Sequence, residues 1–118
     1  MLPIVIGFLI FGTTKIEPAI LQNIEAIRRY FPEPEKTLEI AKIFHCESGL
    51  QHWNKHGELV VSKTGDVGIS QINLKTWQKK ANELGQDLSK IDGNLAMARY
   101  IYDLHGSSPW VCKRLLSG

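Results

Sequence analysis

Charge is missing from the first twelve residues, MLPIVIGFLIFG, cysteine occurs only twice in 118 residues, and no apolar run is long. A membrane-spanning helix needs about 20 apolar residues, so the N-terminal run falls short of one. It has the length of a signal-peptide core, although no Lys or Arg precedes it and no A-x-A site follows. An export or membrane-targeting segment over residues 1–14 is therefore expected, with a buried N-terminal segment as the alternative. Two cysteines are too few for the framework of a disulfide-dense secreted fold. Lys and Arg number 14 against 12 Asp and Glu, and no dense basic patch occurs, so nothing favours a nucleic-acid partner. Internal repeats and low-complexity tracts are absent, which removes solenoids and flexible linkers. No glycine-rich phosphate loop and no nucleophile elbow is present. His45, His52 and His56 are irregularly spaced, and no Cys or carboxylate set completes a tetrahedral site around them; neither a metal nor a cofactor is expected.

What remains is the composition of one ordinary globular domain, 43% apolar and 22% charged. After Thr14 the apolar residues fall into helical spacing. Pro18 suits a first helical position, and Ile20, Ile24, Ile27 and Phe31 share one face. The stretch FPEPEK, Phe31 to Lys36, stops that helix, because its prolines cannot continue it. Pro34 opens a second helix, which carries Leu38, Ala41, Ile43 and Phe44 inward and ends near Gly49. The period is then lost. Leu59 to Val61 reads as a β-like run before the turn signal KTGD, so a small hairpin is expected there. Asn73 is a reasonable N-cap for a helix with Leu74, Trp77, Ala81 and Leu84 inward and Gly85 as terminator. Asp92 is the expected cap of the next helix, which runs to Gly106, and Ser108-Pro109 begins a short last one ending near Leu116. The fold class is mainly α with one small β excursion, and residues 15–118 form the domain.

Two segments concentrate polar groups. Glu47 falls in the last turn of the second helix, flanked by Phe44, Cys46 and Leu50. Poor solvation and the negative end of a helix both favour a protonated carboxylic acid, which is what a general acid requires. Taken alone, the same residue also reads as an exposed glutamate at a helix end. The second segment, TGDVGISQIN, places Asp66, Gly68, Gln71 and Asn73 within ten residues. Glycine at 68 permits close approach of a ligand to the backbone. The amides of Gln71 and Asn73 suit hydroxyl and acetamido groups. A turn followed by a helix cap explains Asn73 and part of Gly68, but not the four residues together.

Glu47-Ser48, then DVGISQIN at Asp66 to Asn73, then NLAMARYIY at Asn94 to Tyr102, resemble the lysozyme-like SLT domain of lytic transglycosylases, in particular its small secretion-associated and phage-type members. The D-x-G-x-x-Q-I-N pattern is shared with animal c-type lysozymes, and the resemblance covers about Thr37 to Trp110. It implies a lysozyme-like α+β domain with a cleft between the helix bearing Glu47 and the DVGISQIN segment. It also implies cleavage of the β-1,4 bond between N-acetylmuramic acid and N-acetylglucosamine in peptidoglycan, with Glu47 as acid and then base. The muramic 6-hydroxyl would close on the anomeric carbon, leaving a 1,6-anhydro end. One acid/base suffices when the nucleophile is built into the substrate.

Asp66 matches the second carboxylate of c-type lysozymes, which leaves a hydrolytic muramidase as the rival enzyme. A separation of about 5 Å from the acid would favour a retaining hydrolase. Its plainer role is to brace the turn around Gly68. A catalytically silent glycan-binding scaffold is the rival outside enzymes. Ser48 would orient substrate or the carboxylate, or serve as a helix-end hydroxyl, and Tyr100 matches the family's tyrosine that reaches the catalytic region. Trp77 and Trp110 fit core positions, while Trp53 sits in irregular sequence where it could stack on a sugar. If the chain is exported, to periplasm or beyond, Cys46 and Cys112 are expected to form a disulfide; in a reducing compartment they would be buried thiols. No His-plus-Asn arrangement supports a cysteine nucleophile. The expected actor is a monomer working on a glycan strand, recruited by a secretion system or a virion.

Overall fold

The computed structural model describes residues 17–110 and Cys112, together with the backbone of four residues near the N-terminus. Those four form β1 (Ile10–Phe11) and β2 (Thr14–Lys15), paired antiparallel. The rest of the expected targeting segment, and most of the expected last helix, lie outside the described residues. The described chain is mainly helical: four helices and short antiparallel strand pairs. No helix among the described residues is long and apolar enough to cross a membrane.

Helix α1 (Pro18–Tyr30) begins with proline at its first position, where the missing N–H costs no hydrogen bond. Pro32 and Pro34 force the break after it, and Pro34 opens α2 (Pro34–Ser48) in the same way. The corner between them is pinned twice. Thr37 Oγ1 donates to the Phe31 carbonyl, and Arg99 from the last long helix reaches both the Tyr30 carbonyl and Glu33 Oε1. Helix α3 (Leu74–Glu83) starts as expected at Asn73, whose side chain accepts the Thr76 N–H. Helix α4 (Ile91–His105) starts two residues earlier than the sequence implied. Lys90 is its N-cap, and Asp92 lies within the first turn. There Asp92 accepts from Arg29 and the Tyr30 hydroxyl, tying the start of α4 to the end of α1.

The core gathers Ile27 and Phe31 from α1, Ile40, Ile43 and Phe44 from α2, and Leu95, Met97, Ala98 and Ile101 from α4. Burying a side chain of this size stabilises by about 1.5–3 kcal/mol, which is what holds three short helices against chain entropy. Two expected inward residues face out instead: Leu38 is 58% exposed and Leu84 44%. On α2 the buried stripe runs through Thr37, Ile40, Ala41 and Phe44, so Leu38 falls off its edge. Leu84 is the C-cap of α3, where the chain has left the helical face.

The β excursion is where the sequence placed it. The Leu59–Val61 stretch does not become a full strand but makes two bridges, Trp53 with Leu59 and Val61 with Val67. The turn between Ser62 and Asp66 closes through Ser62 N–H to Asp66 carbonyl and Gly65 N–H to Ser62 carbonyl. The chain then forms β3 (Asp66–Val67) and β4 (Ile72–Asn73), paired antiparallel in the register Asp66 with Asn73 and Val67 with Ile72.

Candidate active site

Helix α2 ends by an abrupt change of backbone. Gly49 (φ 71°) and Leu50 (φ 59°) are consecutive left-handed residues. For leucine this conformation costs about 1–2 kcal/mol, offset here by burial of its side chain and by Asn23 Nδ2 donating to its carbonyl at 2.7 Å. The turn fixes where the last helical residues, Glu47 and Ser48, point. Among the described residues one other non-glycine has positive φ, Gln71 at 52°, in the second polar segment. Backbone strain of this kind gathers at functional sites.

The chain turns after β3 at residues 68–70, and side chains from four parts of the chain satisfy the main-chain groups of residues 67–70. Asn94 on α4, fully buried, donates to the Val67 and Leu88 carbonyls at 2.9 and 3.0 Å and accepts the Ser70 N–H at 3.0 Å. His52 Nδ1 accepts the Ile69 N–H at 3.1 Å. Ser48 Oγ donates to the Ile69 carbonyl at 2.8 Å, and Trp110 Nε1 donates to the Ser70 carbonyl at 2.8 Å. An unsatisfied buried backbone group costs about 1–3 kcal/mol, so these contacts decide the shape of the segment.

Ser48 thereby joins the end of α2 to the DVGISQIN segment through main chain. Gly68 has a different role from the one its sequence implied. Its φ is +76°, and an added Cβ would lie 2.5 Å from Asn94 Nδ2 and 2.6 Å from the His52 ring. The close approach at Gly68 is made by the protein's own side chains, not by a ligand, since the residue is buried. Gln71 Nε2 donates to the Gly68 carbonyl at 3.0 Å.

The two carboxylates are held very differently. Asp66 Oδ2 accepts from Ser62 Oγ at 2.7 Å and Thr64 Oγ1 at 2.6 Å, and Oδ1 accepts from Asn73 Nδ2 at 3.0 Å. Burial acts to raise this carboxyl, but the bonds from Thr64, Ser62 and Asn73 outweigh it and hold it below the ordinary aspartate range. Asn73 also caps α3, so one amide serves the helix and the aspartate together. Glu47 is half-buried, and among the described residues its carboxylate takes one hydrogen bond, a long one of 3.3 Å from the Cys112 N–H to Oε2. Cys112 is held there by a disulfide to Cys46, with Cα atoms 5.8 Å apart.

A cavity of about 430 Å³ is lined by Asp66, Gln71 and Asn73, by Thr76 and Trp77 of α3, and by Ile101, His105 and Trp110 among others. Three expected site residues thus share one wall, with amides, a carboxylate and aromatic faces. Glu47 and Ser48 are not among its lining residues. Trp110, 4% exposed, packs against Phe44 of α2 (ring centroids 5.8 Å apart) and donates to the Ser70 carbonyl, so an indole lines the cavity on that side. Glu47 meets the main chain two residues past Trp110, at the Cys112 N–H. Tyr100 lies against α3, edge-on to Trp77 at 6.4 Å, and does not line the cavity. Trp77, expected as core, is half-buried with one side on the cavity. Its position with His105 and Thr76 was not legible beforehand, because the wall is assembled from segments about 30 residues apart.

His52 is a core histidine, while His45 and His56 are exposed. Among the described residues no cluster of three His, Cys, Asp or Glu is placed to hold a metal ion. No protein-family model, no curated protein and no solved structure matches the chain.

Proposed function

We propose that the domain is a lysozyme-like lytic transglycosylase that cleaves peptidoglycan strands, with Glu47 as the single acid/base. The observation that carries this reading is the contrast between the two carboxylates. Asp66 is held as a carboxylate by three side-chain donors spread over both oxygens, whereas Glu47 is half-buried at a strained helix end with, among the described residues, one long hydrogen bond. Asp66 is thereby a fixed charge in the loop, while the Glu47 carboxylate is lightly held and free to take a further partner. Asp66 has little capacity left to attack a sugar, which favours transglycosylation over a hydrolase using Asp66 as nucleophile.

In the proposed reaction Glu47 gives its proton to the glycosidic oxygen as the bond to the anomeric carbon breaks. The muramic 6-hydroxyl oxygen then bonds to that carbon, and its proton returns to Glu47. No water is consumed, and the enzyme ends as it began. The cavity beside Gln71 and Trp77 supplies an amide for an acetamido group and an aromatic face for a sugar ring. An exported location agrees with the disulfide, which persists in oxidising compartments.

The test is digestion of purified peptidoglycan followed by mass spectrometry of the fragments. Ends lighter by one water than reducing ends are expected, and E47Q should lower the rate by about 100-fold or more. Reducing ends would transfer the reading to a hydrolase. Undiminished digestion by E47Q would remove Glu47 from the chemistry, and digestion by neither protein would leave a glycan-binding scaffold.

A further inference from the structure

We propose that the Cys46–Cys112 disulfide is a positioning device for Glu47, so that opening it slackens the acid while the domain stays folded. This rests on the reading of Glu47 as the acid/base. Cys46 immediately precedes Glu47 on α2, and its disulfide partner is the residue whose main-chain N–H meets Glu47 Oε2 at 3.3 Å. A main-chain donor has no rotamers of its own. It is placed by whatever anchors its segment, and here one anchor lies next to the acid it serves. The bond therefore sets donor and acceptor relative to each other across a sequence separation of 66.

The segment has a second anchor two residues earlier. Trp110 is buried, and its indole N–H is held by the Ser70 carbonyl. Loss of the disulfide consequently frees the Cys112 N–H but leaves Trp110 in the core, to which Cys112 itself does not belong. Cys46 is on the exposed face of α2, where a thiolate can reach it. A dithiol reductant attacks one sulfur to give a mixed disulfide, and its second thiol closes on itself. The protein gains two electrons and two protons as two thiols, and the reductant leaves as its own disulfide.

The experiment compares oxidised wild type, dithiothreitol-treated wild type, the C46A/C112A double variant and E47Q. Reduction and the double variant should each lower kcat by about tenfold, as expected when a reacting group loses its fixed geometry, with KM within about twofold. Far-UV circular dichroism should be unchanged, and reoxidation with oxidised glutathione should restore wild type but not the double variant. In oxidised wild type the Cys112 amide resonance should follow a carboxylate titration that vanishes in E47Q and on reduction. An unchanged or raised kcat after reduction, or a Cys112 amide indifferent to E47Q, overturns the proposal. If the double variant does not fold, the amide titration decides. Full activity of oxidised E47Q would instead defeat the acid/base reading, while the amide titration still judges the contact on its own.

Discussion

His52 presents Nδ1 to the Ile69 N–H at 3.1 Å and Nε2 to the Ser89 carbonyl at 2.8 Å, and these two partners fix its tautomer. A carbonyl cannot donate, so Nε2 carries the proton; an amide N–H cannot accept, so Nδ1 is bare. A second proton has no place on this ring without breaking the bond to Ile69. Ile69 is the residue whose carbonyl also holds Ser48, one position after Glu47. The neutral imidazole thus pins the same residue that Ser48 holds.

That arrangement gives a pH dependence of known sign. Burial pushes the imidazole below the ordinary value of 6.5, against the opposing pull of the Ser89 carbonyl. A histidine lowered on folding contributes fully above 6.5. Its contribution is lost as pH falls from there to the folded value, because only the unfolded chain takes up the proton readily. Urea unfolding at pH 7.5 and pH 5.0 should show wild type losing stability on acidification. In His52→Asn, whose amide oxygen can still accept from Ile69, the pH 7.5 stability should drop by about 1–3 kcal/mol and the acid slope should flatten. Equal slopes in the two proteins would refute the assignment.

Gly68→Ala should be costly out of proportion to one methyl group. The new Cβ would meet Asn94 Nδ2 at 2.5 Å and the His52 ring at 2.6 Å, both already committed to the loop, and φ is +76°. Left-handed backbone and overpacking together predict a loss of about 2–4 kcal/mol by chemical denaturation. A change under about 0.5 kcal/mol would mean that these side chains do not stand where they are described.

Asn94→Asp keeps the shape and reverses one end of the chemistry. The amide nitrogen that donates to the Val67 and Leu88 carbonyls becomes an oxygen facing two acceptors inside the core. A loss of about 2–4 kcal/mol at pH 7 is expected, with the Ser70 and Val67 amides losing hydrogen-exchange protection first. Uniform loss of protection throughout the domain would contradict a local role.

These cases show which parts of the fold local sequence can carry. Pro18, Pro34, Gly49 and Asn73 mark element ends because each acts on its own backbone or within one turn, and the helices begin or end beside them. Asn94 and His52 are different. All but one of their partners lie 17 to 37 residues away, and nothing in their neighbourhoods distinguishes a hub from a solvated polar residue. Gly68 was recognisable as a close approach, but not what approaches it. The cavity wall was half legible: Asp66, Gln71 and Asn73 share ten residues, whereas Trp77, His105 and Trp110 join them only through tertiary packing. Glu47 is absent from that lining, while Trp110, packed on Phe44 of α2, is part of it.

Asp66→Asn separates bracing from nucleophilic attack. In the folded protein both carboxylate oxygens are taken, Oδ2 by Ser62 and Thr64 and Oδ1 by Asn73, while Asn73 Oδ1 caps α3. An amide at position 66 keeps one acceptor and turns the other into a donor facing hydroxyls that can reorient, at a cost of about 1–2 kcal/mol in stability. The wild-type carboxyl is held below its ordinary value of 3.8, so its contribution is present above that pH and lost as pH falls through the folded value; the variant lacks this acid-sensitive part. Under the proposed mechanism Asp66 supports the loop without touching the anomeric carbon, so kcat should fall by less than about tenfold and anhydro ends should persist. A nucleophile removed in this way would cost at least about 1,000-fold. Such a loss in a variant that is still folded, accompanied by reducing ends from wild type, would make Asp66 the attacking group and the enzyme a hydrolase.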